Sequence, residues 1–189
     1  MFWLAQMSDA ASLVLLSGYM ADMGFSGTQI SSVYATMALA ALVSPFLAGW
    51  LADRFFPSQI MLGICYVLTA PILVAAWQQT TFRGFWLCIA GVSLLRMPAR
   101  TLSNVVAFHH LRDRTRIGQV RVWGTLGWIF ISWCLSGYLR LWEGWDPGGS
   151  HMGDALLASA VISAICGLYC LSLPHTPPGN QQAGSLGFS

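Results

Sequence analysis

The sequence predicts an all-α membrane protein with six transmembrane helices. Of its 189 residues, 56% are hydrophobic and only 8% are charged, whereas a soluble domain carries about 25% charged residues. Six apolar runs each approach the length of about 20 residues that an α-helix needs to cross a bilayer. Short polar or glycine-rich segments separate these runs. A lipid bilayer is therefore the expected surrounding of most of the chain.

The six runs form one predicted domain, a helical bundle over about residues 1–175. A polar segment at about 176–189 follows it and is typical of a cytoplasmic linker or tail. The predicted spans lie at about 1–20, 29–52, 58–77, 84–108, 117–141 and 154–173.

The boundaries between the spans carry turn, cap or charge signals. Ser26 and Gln29 form a capping-box pattern that opens the second span. Pro57 separates the second span from the third, because proline interrupts a helix. The segment LRDRTR after the fourth span is charged, and the segment WDPGGSHMGD before the sixth is rich in glycine. These signals favour six separate helices over fewer, longer ones.

The distribution of arginine predicts the orientation in the membrane. Arg54 follows the second span, and Arg112, Arg114 and Arg116 follow the fourth. Short loops rich in basic residues remain on the cytoplasmic side of a membrane. We therefore expect a multi-pass protein of the cell (inner) membrane with both termini in the cytoplasm.

Several function classes have no support in the sequence. A net charge of +2 without a basic patch argues against nucleic-acid binding. The five cysteines lie in apolar runs without paired spacing, so we expect packed, reduced thiols and neither a metal site nor a disulfide framework. No Ser-His-Asp set, phosphate loop or HExxH motif occurs. We therefore expect neither an enzyme nor a bound cofactor.

Polar residues in the fifth span share one helical face. Successive members are spaced by four, three, four and four residues, which places them on one side of an α-helix. A lone arginine near a helix end often reaches the water interface, but five polar or amphipathic residues in register favour a wet interior surface. Gly124 and Gly127 would let a neighbouring helix approach closely. The face consists of Arg121, Thr125, Trp128, Ser132 and Ser136.

The fourth span carries a second polar face, which includes Arg96, Arg100 and Asn104. Arg96 and Arg100 lie about 18 and 12 Å of helix rise from the cytoplasmic end of the span. Asp9 in the first span is their natural partner, because a carboxylate within hydrocarbon needs an opposite charge. Asp9 could instead carry a proton. We therefore expect Asp9, Arg96, Arg100 and Asn104 to form a cavity network or a proton-coupling site.

The loop GWLADRFFPSQ between the second and third spans resembles the loop signature of the major facilitator superfamily. Gly49, Asp53 and Arg54 match that signature, in which a glycine begins a run that ends in Asp-Arg. The resemblance implies that these three residues form a gating loop. In this role they would help to hold the inward side of the transporter closed.

A narrower set of motifs resembles the bacterial nucleoside:proton symporter family. GFSGTQI, ADRFF, SNVVAFHHL, RVWGTLGWI and LPHTPP occur in the order and spacing of that family, over about residues 19–178. The resemblance implies nucleoside and proton as substrates, with Arg121, Thr125 and Trp128 in the substrate-binding site. Trp128 stands where the best-known relatives have phenylalanine, and it could stack on a base.

The resemblance also implies that the chain is the N-terminal half of such a transporter. Transporters of this superfamily have two six-helix halves with the substrate site between them. We expect a fragment or a half-length protein that is not competent alone and works with a missing C-terminal half or a second chain. Two alternatives remain open. Arg96 and Arg100 could favour a carrier of a small organic anion, and the chain could be a non-transporting membrane subunit.

Overall fold

The chain folds into helices only, within the residues that a computed structural model describes, which are 1–54, 58–110, 117–145 and 151–172. The predicted tail at 176–189 lies outside these residues. The helices are α1 (Phe2–Leu13), α2 (Leu16–Asp22), α3 (Gly27–Arg54), α4 (Ser58–Gln78), α5 (Phe82–His110), α6 (Ile117–Trp145) and α7 (Asp154–Leu171).

The first predicted span is divided between α1 and α2. Leu15, between them, has φ −101° and ψ 0°, which is the sparsely populated region between the α and β conformations. The break falls at Val14 and Leu15, and neither valine nor leucine normally ends a helix. The sequence therefore contains none of the usual signals for a break at this point.

The start of α3 has the capping box that the sequence predicts. The backbone N–H of Ser26 donates a hydrogen bond to Gln29 Oε1 at 2.9 Å, and the backbone N–H of Gln29 donates to Ser26 Oγ at 3.4 Å. Two backbone donors at the helix start are satisfied in this way. Gly24 precedes the cap with φ 78°, a left-handed conformation that favours glycine.

The packing of α1 against α6 determines where the candidate site lies. α1 packs on both α6 and α7, α4 packs on α5 and α7, and α3 packs on α5. A Cβ atom at Gly127 would lie 2.7 Å from the carbonyl oxygen of Trp3, and one at Gly124 would lie 3.0 Å from Cγ of Gln6. The close helix approach predicted for these two glycines is therefore present, and it brings α1 beside the polar face of α6.

Three segments of the described chain are long and apolar enough to cross a membrane, namely Gln59–Gln78, Arg121–Trp145 and Asp154–Leu171. They lie in the third, fifth and sixth predicted spans. Large apolar side chains are exposed on the outside of the bundle, among them Phe46 and Trp133, at 79% and 77% of their surface. Such extensive apolar exposure is unusual for a soluble monomer and fits a chain surrounded by lipid or by further protein.

Candidate functional site

A cluster of buried polar side chains joins α1, α5 and α7. Burial of polar and charged groups is unfavourable unless they bond to one another, so the contacts within the cluster determine whether the three helices can pack. The members that contact one another are Ser8, Asp9, Ser12, Arg96, Ser159 and Ser163, all buried.

Arg96 lies at the centre of this cluster. Its Nη1 donates a hydrogen bond to Ser12 Oγ at 2.5 Å. Its Nη2 lies within donating distance of three further hydroxyl oxygens, those of Ser8 at 2.8 Å, Ser159 at 2.7 Å and Ser163 at 3.0 Å. The serines stand four residues apart on α1 and again on α7, which puts each pair on one helical face. Neutral hydroxyls from two helices thus solvate the guanidinium of a third.

Asp9 lies between Arg96 and Arg100. Nη1 of Arg96 is 3.4 Å from Oδ1 of Asp9, and Nε of Arg100 donates to Oδ2 at 2.7 Å. The side chain of Asp9 is 1% exposed and that of Arg100 is 39% exposed. The structure therefore brings together the three charged residues that the sequence analysis paired, and it places Arg100 at the edge of the cluster.

A cavity of about 390 Å³ lies among α1, α4, α5 and α6. Arg121, Thr125 and Trp128 of α6 line it, together with Arg100 and Asn104 of α5. These are five of the seven residues that the sequence predicts for substrate binding and the cavity network. These five residues lie on two consecutive helices, α5 and α6, and α1 and α4 supply the other walls of the cavity.

Asp9 and Arg96 do not line this cavity. They border a separate space of about 20 Å³ on the inner side of α5, which Arg100 also borders. Among the predicted site residues, Arg100 alone borders both spaces and so connects the buried charge cluster with the large cavity. The sequence analysis grouped the four residues as one network, and the structure divides them between an interior group and a cavity wall.

The cavity wall from α5 and α6 offers hydrogen-bonding groups beside an aromatic ring. Thr125 Oγ1 donates to the backbone carbonyl of Arg121 at 3.3 Å, and Asn104 Nδ2 donates to the backbone carbonyl of Arg100 at 3.2 Å. The side chains of Arg121, Thr125 and Asn104 are exposed, and that of Trp128 is half-buried. Guanidinium donors, an amide, a hydroxyl and a ring face are suited to a small polar ligand with a flat ring.

Three further polar residues of the wall were not among the predicted site residues: Gln6, Tyr66 and Ser103. Gln6 carried a usable signal, because it stands three residues before Asp9 on the same apolar helix. The serines of the buried cluster also carried a usable signal, because they repeat at a spacing of four residues on each helix. Tyr66 carried none, since a tyrosine within an apolar run is ordinary in a packed helix.

Gly49, Asp53 and Arg54, predicted as a gating loop, belong to the last two turns of α3. Their side chains lie outside the described part of the structure. In the described ranges, no group of three or more His, Cys, Asp or Glu residues could hold a metal ion.

A family model described as "Nucleoside H+ symporter" matches residues 2–187 of the chain. The chain belongs to the nucleoside H+ symporter family. The match extends over almost all of the sequence, including the polar face of α6 and the cavity around it, and it confirms the resemblance inferred from the sequence motifs.

Individual relatives agree with this membership. YegT of Escherichia coli (strain K12), whose name assigns it provisionally to nucleoside transport, is 38% identical over 161 residues, covering 85% of this chain and 37% of YegT. The nucleoside permease NupG of the same strain is 33% identical, covering 90% of this chain and 40% of NupG. A xanthosine permease, also from that strain, is 29% identical with the same coverage. The chain thus spans about two fifths of the length of these relatives.

A solved structure supports the fold. A crystal structure of the nucleoside transporter NupG matches with a TM-score of 0.85 and 31% identity, covering 96% of this chain and 44% of the NupG chain. The predicted fold class, an all-α half of a major-facilitator-type transporter, is confirmed. The names of these relatives describe nucleoside transporters and permeases.

Replacing Asp9 by Asn should destabilise the bundle, because it leaves the guanidiniums of Arg96 and Arg100 without their shared carboxylate. We expect the free energy of unfolding to fall by about 3–5 kcal/mol, the usual effect of breaking a buried ion pair. Chemical unfolding in mild detergent, followed by tryptophan fluorescence, measures the change.

The matched control is Glu143→Gln, which also removes one negative charge but at an exposed position of α6. It should change the free energy of unfolding by no more than about 0.5 kcal/mol. Equal effects of the two substitutions would show that Asp9 does not hold the helices together.

Proposed function

We propose that this chain is the N-terminal half of a transporter that takes up nucleosides together with protons by alternating access, and that it is not competent alone. The observation that carries the proposal is the convergence of Arg121, Thr125 and Trp128 with Arg100 and Asn104 on one cavity, in a member of the nucleoside H+ symporter family.

The chemistry of the wall fits the parts of a nucleoside. Trp128 offers a ring face on which a base can stack. The guanidinium of Arg121 can donate to carbonyl oxygens of the base or to ribose oxygens, and Thr125 and Asn104 can pair with ribose hydroxyls. The cavity volume of about 390 Å³ lies within the range of small-molecule sites, about 300–1,000 Å³.

A second six-helix unit would complete the transporter. Among the described elements, α6 packs mainly on α1, and its exposed apolar side chains include Trp123 and Phe130, at 61% and 50% of their surface. Coverage of about two fifths of each relative leaves length for another such unit in those proteins. We propose that a C-terminal half, or a second chain, closes the cavity opposite α5 and α6.

The proposed location is the cell (inner) membrane, with both termini in the cytoplasm. The support is the arginine content of the loops after the second and fourth spans, which the positive-inside rule assigns to the cytoplasmic side. With Gly49, Asp53 and Arg54 on that same side, we propose that these residues act in the switch that closes the inward-facing entrance.

For Asp9 we propose a fixed structural role. Its two oxygens face two arginines, and its side chain does not line the large cavity. An ion pair that joins α1 to α5 uses both of its oxygens, so Asp9 supports the cavity wall by holding Arg100. The proton would then be carried by another group.

Replacing Arg121 by Gln should lower nucleoside uptake by about 10- to 100-fold, because a hydrogen bond from a charged donor contributes about 1.5–3 kcal/mol. Uptake of labelled uridine measures the loss in cells that lack their own nucleoside transporters and express the protein from its complete reading frame. The amount of protein in the membrane is determined in parallel.

Arg140→Gln is the matched control, since Arg140 is an exposed arginine of the same helix and does not line the cavity. It should leave uptake within about twofold of the unaltered protein. If both variants transport uridine equally well, Arg121 does not contact the substrate.

The role of Asp9 can be separated from proton transport by the pH dependence of uptake. With Asp9→Asn we expect less protein in the membrane but an unchanged ratio of uptake between acidic and neutral pH, because the carboxylate serves packing. Uptake per transporter is compared across pH with that of the unaltered protein. Loss of the pH dependence would assign the coupled proton to Asp9.

A further inference from the structure

The large cavity has a cationic wall. Arg100 and Arg121 both line it, and none of the described lining residues is an aspartate or glutamate. Guanidinium groups remain charged in proteins at all ordinary pH values. Within the described structure, the wall therefore presents two permanent positive charges without a carboxylate that faces them across the cavity.

Arg100 is held so that its outer edge remains available. Its Nε donates to Asp9 Oδ2 at 2.7 Å, which occupies the inner edge of the guanidinium. The two terminal nitrogens of Arg100 make no hydrogen bond to any described residue, and the side chain is 39% exposed. Asp9 is thus a positioning residue that fixes the plane of the guanidinium and leaves two fork nitrogens for a ligand.

The buried cluster behind Arg100 does not neutralise it. Asp9 is one carboxylate shared by two guanidiniums, because Arg96 approaches its other oxygen at 3.4 Å. The remaining partners of Arg96 are neutral serine hydroxyls. The cluster therefore carries one positive charge in excess. Because most of the cluster is buried, this charge is screened less than a charge in water and attracts an anion in the cavity more strongly.

We propose that the cavity prefers nucleosides whose base is an anion near neutral pH, with the charged edge of the base held by Arg100 and Arg121. This inference rests on the proposed function and names the substrate class within it. A xanthine base that loses the proton of N3 spreads its negative charge over N3 and the two carbonyl oxygens, so that N3 and O2 form a planar pair of acceptors on one edge. Guanidinium forks match such a planar array of acceptors, while Trp128 provides the stacking face.

A neutral nucleoside makes weaker contacts with the same wall. Its carbonyl oxygens accept hydrogen bonds from the charged donors Arg100 and Arg121, but they bring no negative charge to compensate the excess. An anionic base adds the attraction between opposite charges to the same hydrogen bonds. The preference for the anionic base is therefore expected to be about tenfold or more.

The test is competition against labelled uridine uptake, in cells that express the protein from its complete reading frame. Xanthosine is the anionic probe, because its base ionises near neutral pH, and inosine is the neutral probe of closely similar shape. At pH 8 xanthosine should inhibit at a concentration about tenfold or more below that of inosine. At pH 5, where xanthosine is neutral, the ratio should fall towards one. The proton gradient affects both probes equally, so its effect cancels in the ratio of their inhibitory concentrations.

A nucleoside 5′-monophosphate distinguishes a charge on the base from a charge on phosphate. Uridine monophosphate should inhibit no better than inosine at pH 8, because the proposed contacts are with the edge of the base. Stronger inhibition by the monophosphate than by xanthosine would overturn the proposal in favour of a phosphate site.

Substitution of Arg100 tests whether this residue is responsible for the preference for an anionic base. Arg100→Gln should reduce the ratio between inosine and xanthosine at pH 8 by about tenfold, and it should lower uridine uptake without abolishing it, because Arg100 also donates to neutral bases. The double variant Asp9→Asn with Arg100→Gln keeps the excess charge of the cluster, on Arg96, and should show the same loss. Arg100→Gln alone keeps the buried ion pair between Asp9 and Arg96, so this single variant should fold. Arg140→Gln is the control and should keep the original ratio.

The outcomes separate this inference from the proposed function. If uridine is taken up and xanthosine competes no better than inosine, the anion preference is wrong and nucleoside transport stands. If the ratio survives in both Arg100 variants, Arg100 does not bind the base. If no nucleoside is taken up or competes, the proposed function fails and the inference fails with it.

Discussion

A single buried carboxylate shared by two guanidiniums is the constraint on which the rest of the structure depends. Asp9 joins α1 to α5 through both of its oxygens, and Arg96 extends the connection to α7 through serine hydroxyls. Asp9 and Arg96 could not remain buried in an apolar bundle without each other, because an unpaired buried charge is strongly destabilising. The relative positions of three helices are therefore fixed by polar contacts as well as by apolar packing.

The cavity depends on this arrangement. Arg100 contacts Asp9 on one side and lines the cavity on the other. The glycines of α6 allow α1 to approach, so that Gln6 of α1 faces the same space as Arg121. The residues proposed to contact a nucleoside thus lie on helices whose spacing is set by the interior cluster. Side chains that are held rigidly in this way support selective binding. The excess positive charge of the cluster would then also affect which substrate the cavity prefers.

Part of the polar faces was predictable, because period and depth are local properties. The spacing of Arg121, Thr125 and Trp128 is enough to place them on one helical face, and the depth of Arg96 requires a partner charge. Ser132 and Ser136, predicted on the same face, do not line the cavity. The break at Leu15 was not predictable, since no residue there disfavours a helix. The division of the network between an interior group and a cavity wall was not predictable either. It depends on which helices are neighbours, and no periodicity within a single helix contains that information.

The most direct test of this account is a double-mutant cycle between Asp9 and Arg100, measured on the free energy of unfolding in mild detergent. Asp9→Asn, Arg100→Gln and the double variant are compared with the unaltered protein. If the shared carboxylate holds α1 to α5, the two substitutions will be coupled by about 1–3 kcal/mol, with the double variant less destabilised than the sum of the single variants. Additive effects, with a coupling energy below about 0.5 kcal/mol, would contradict the account.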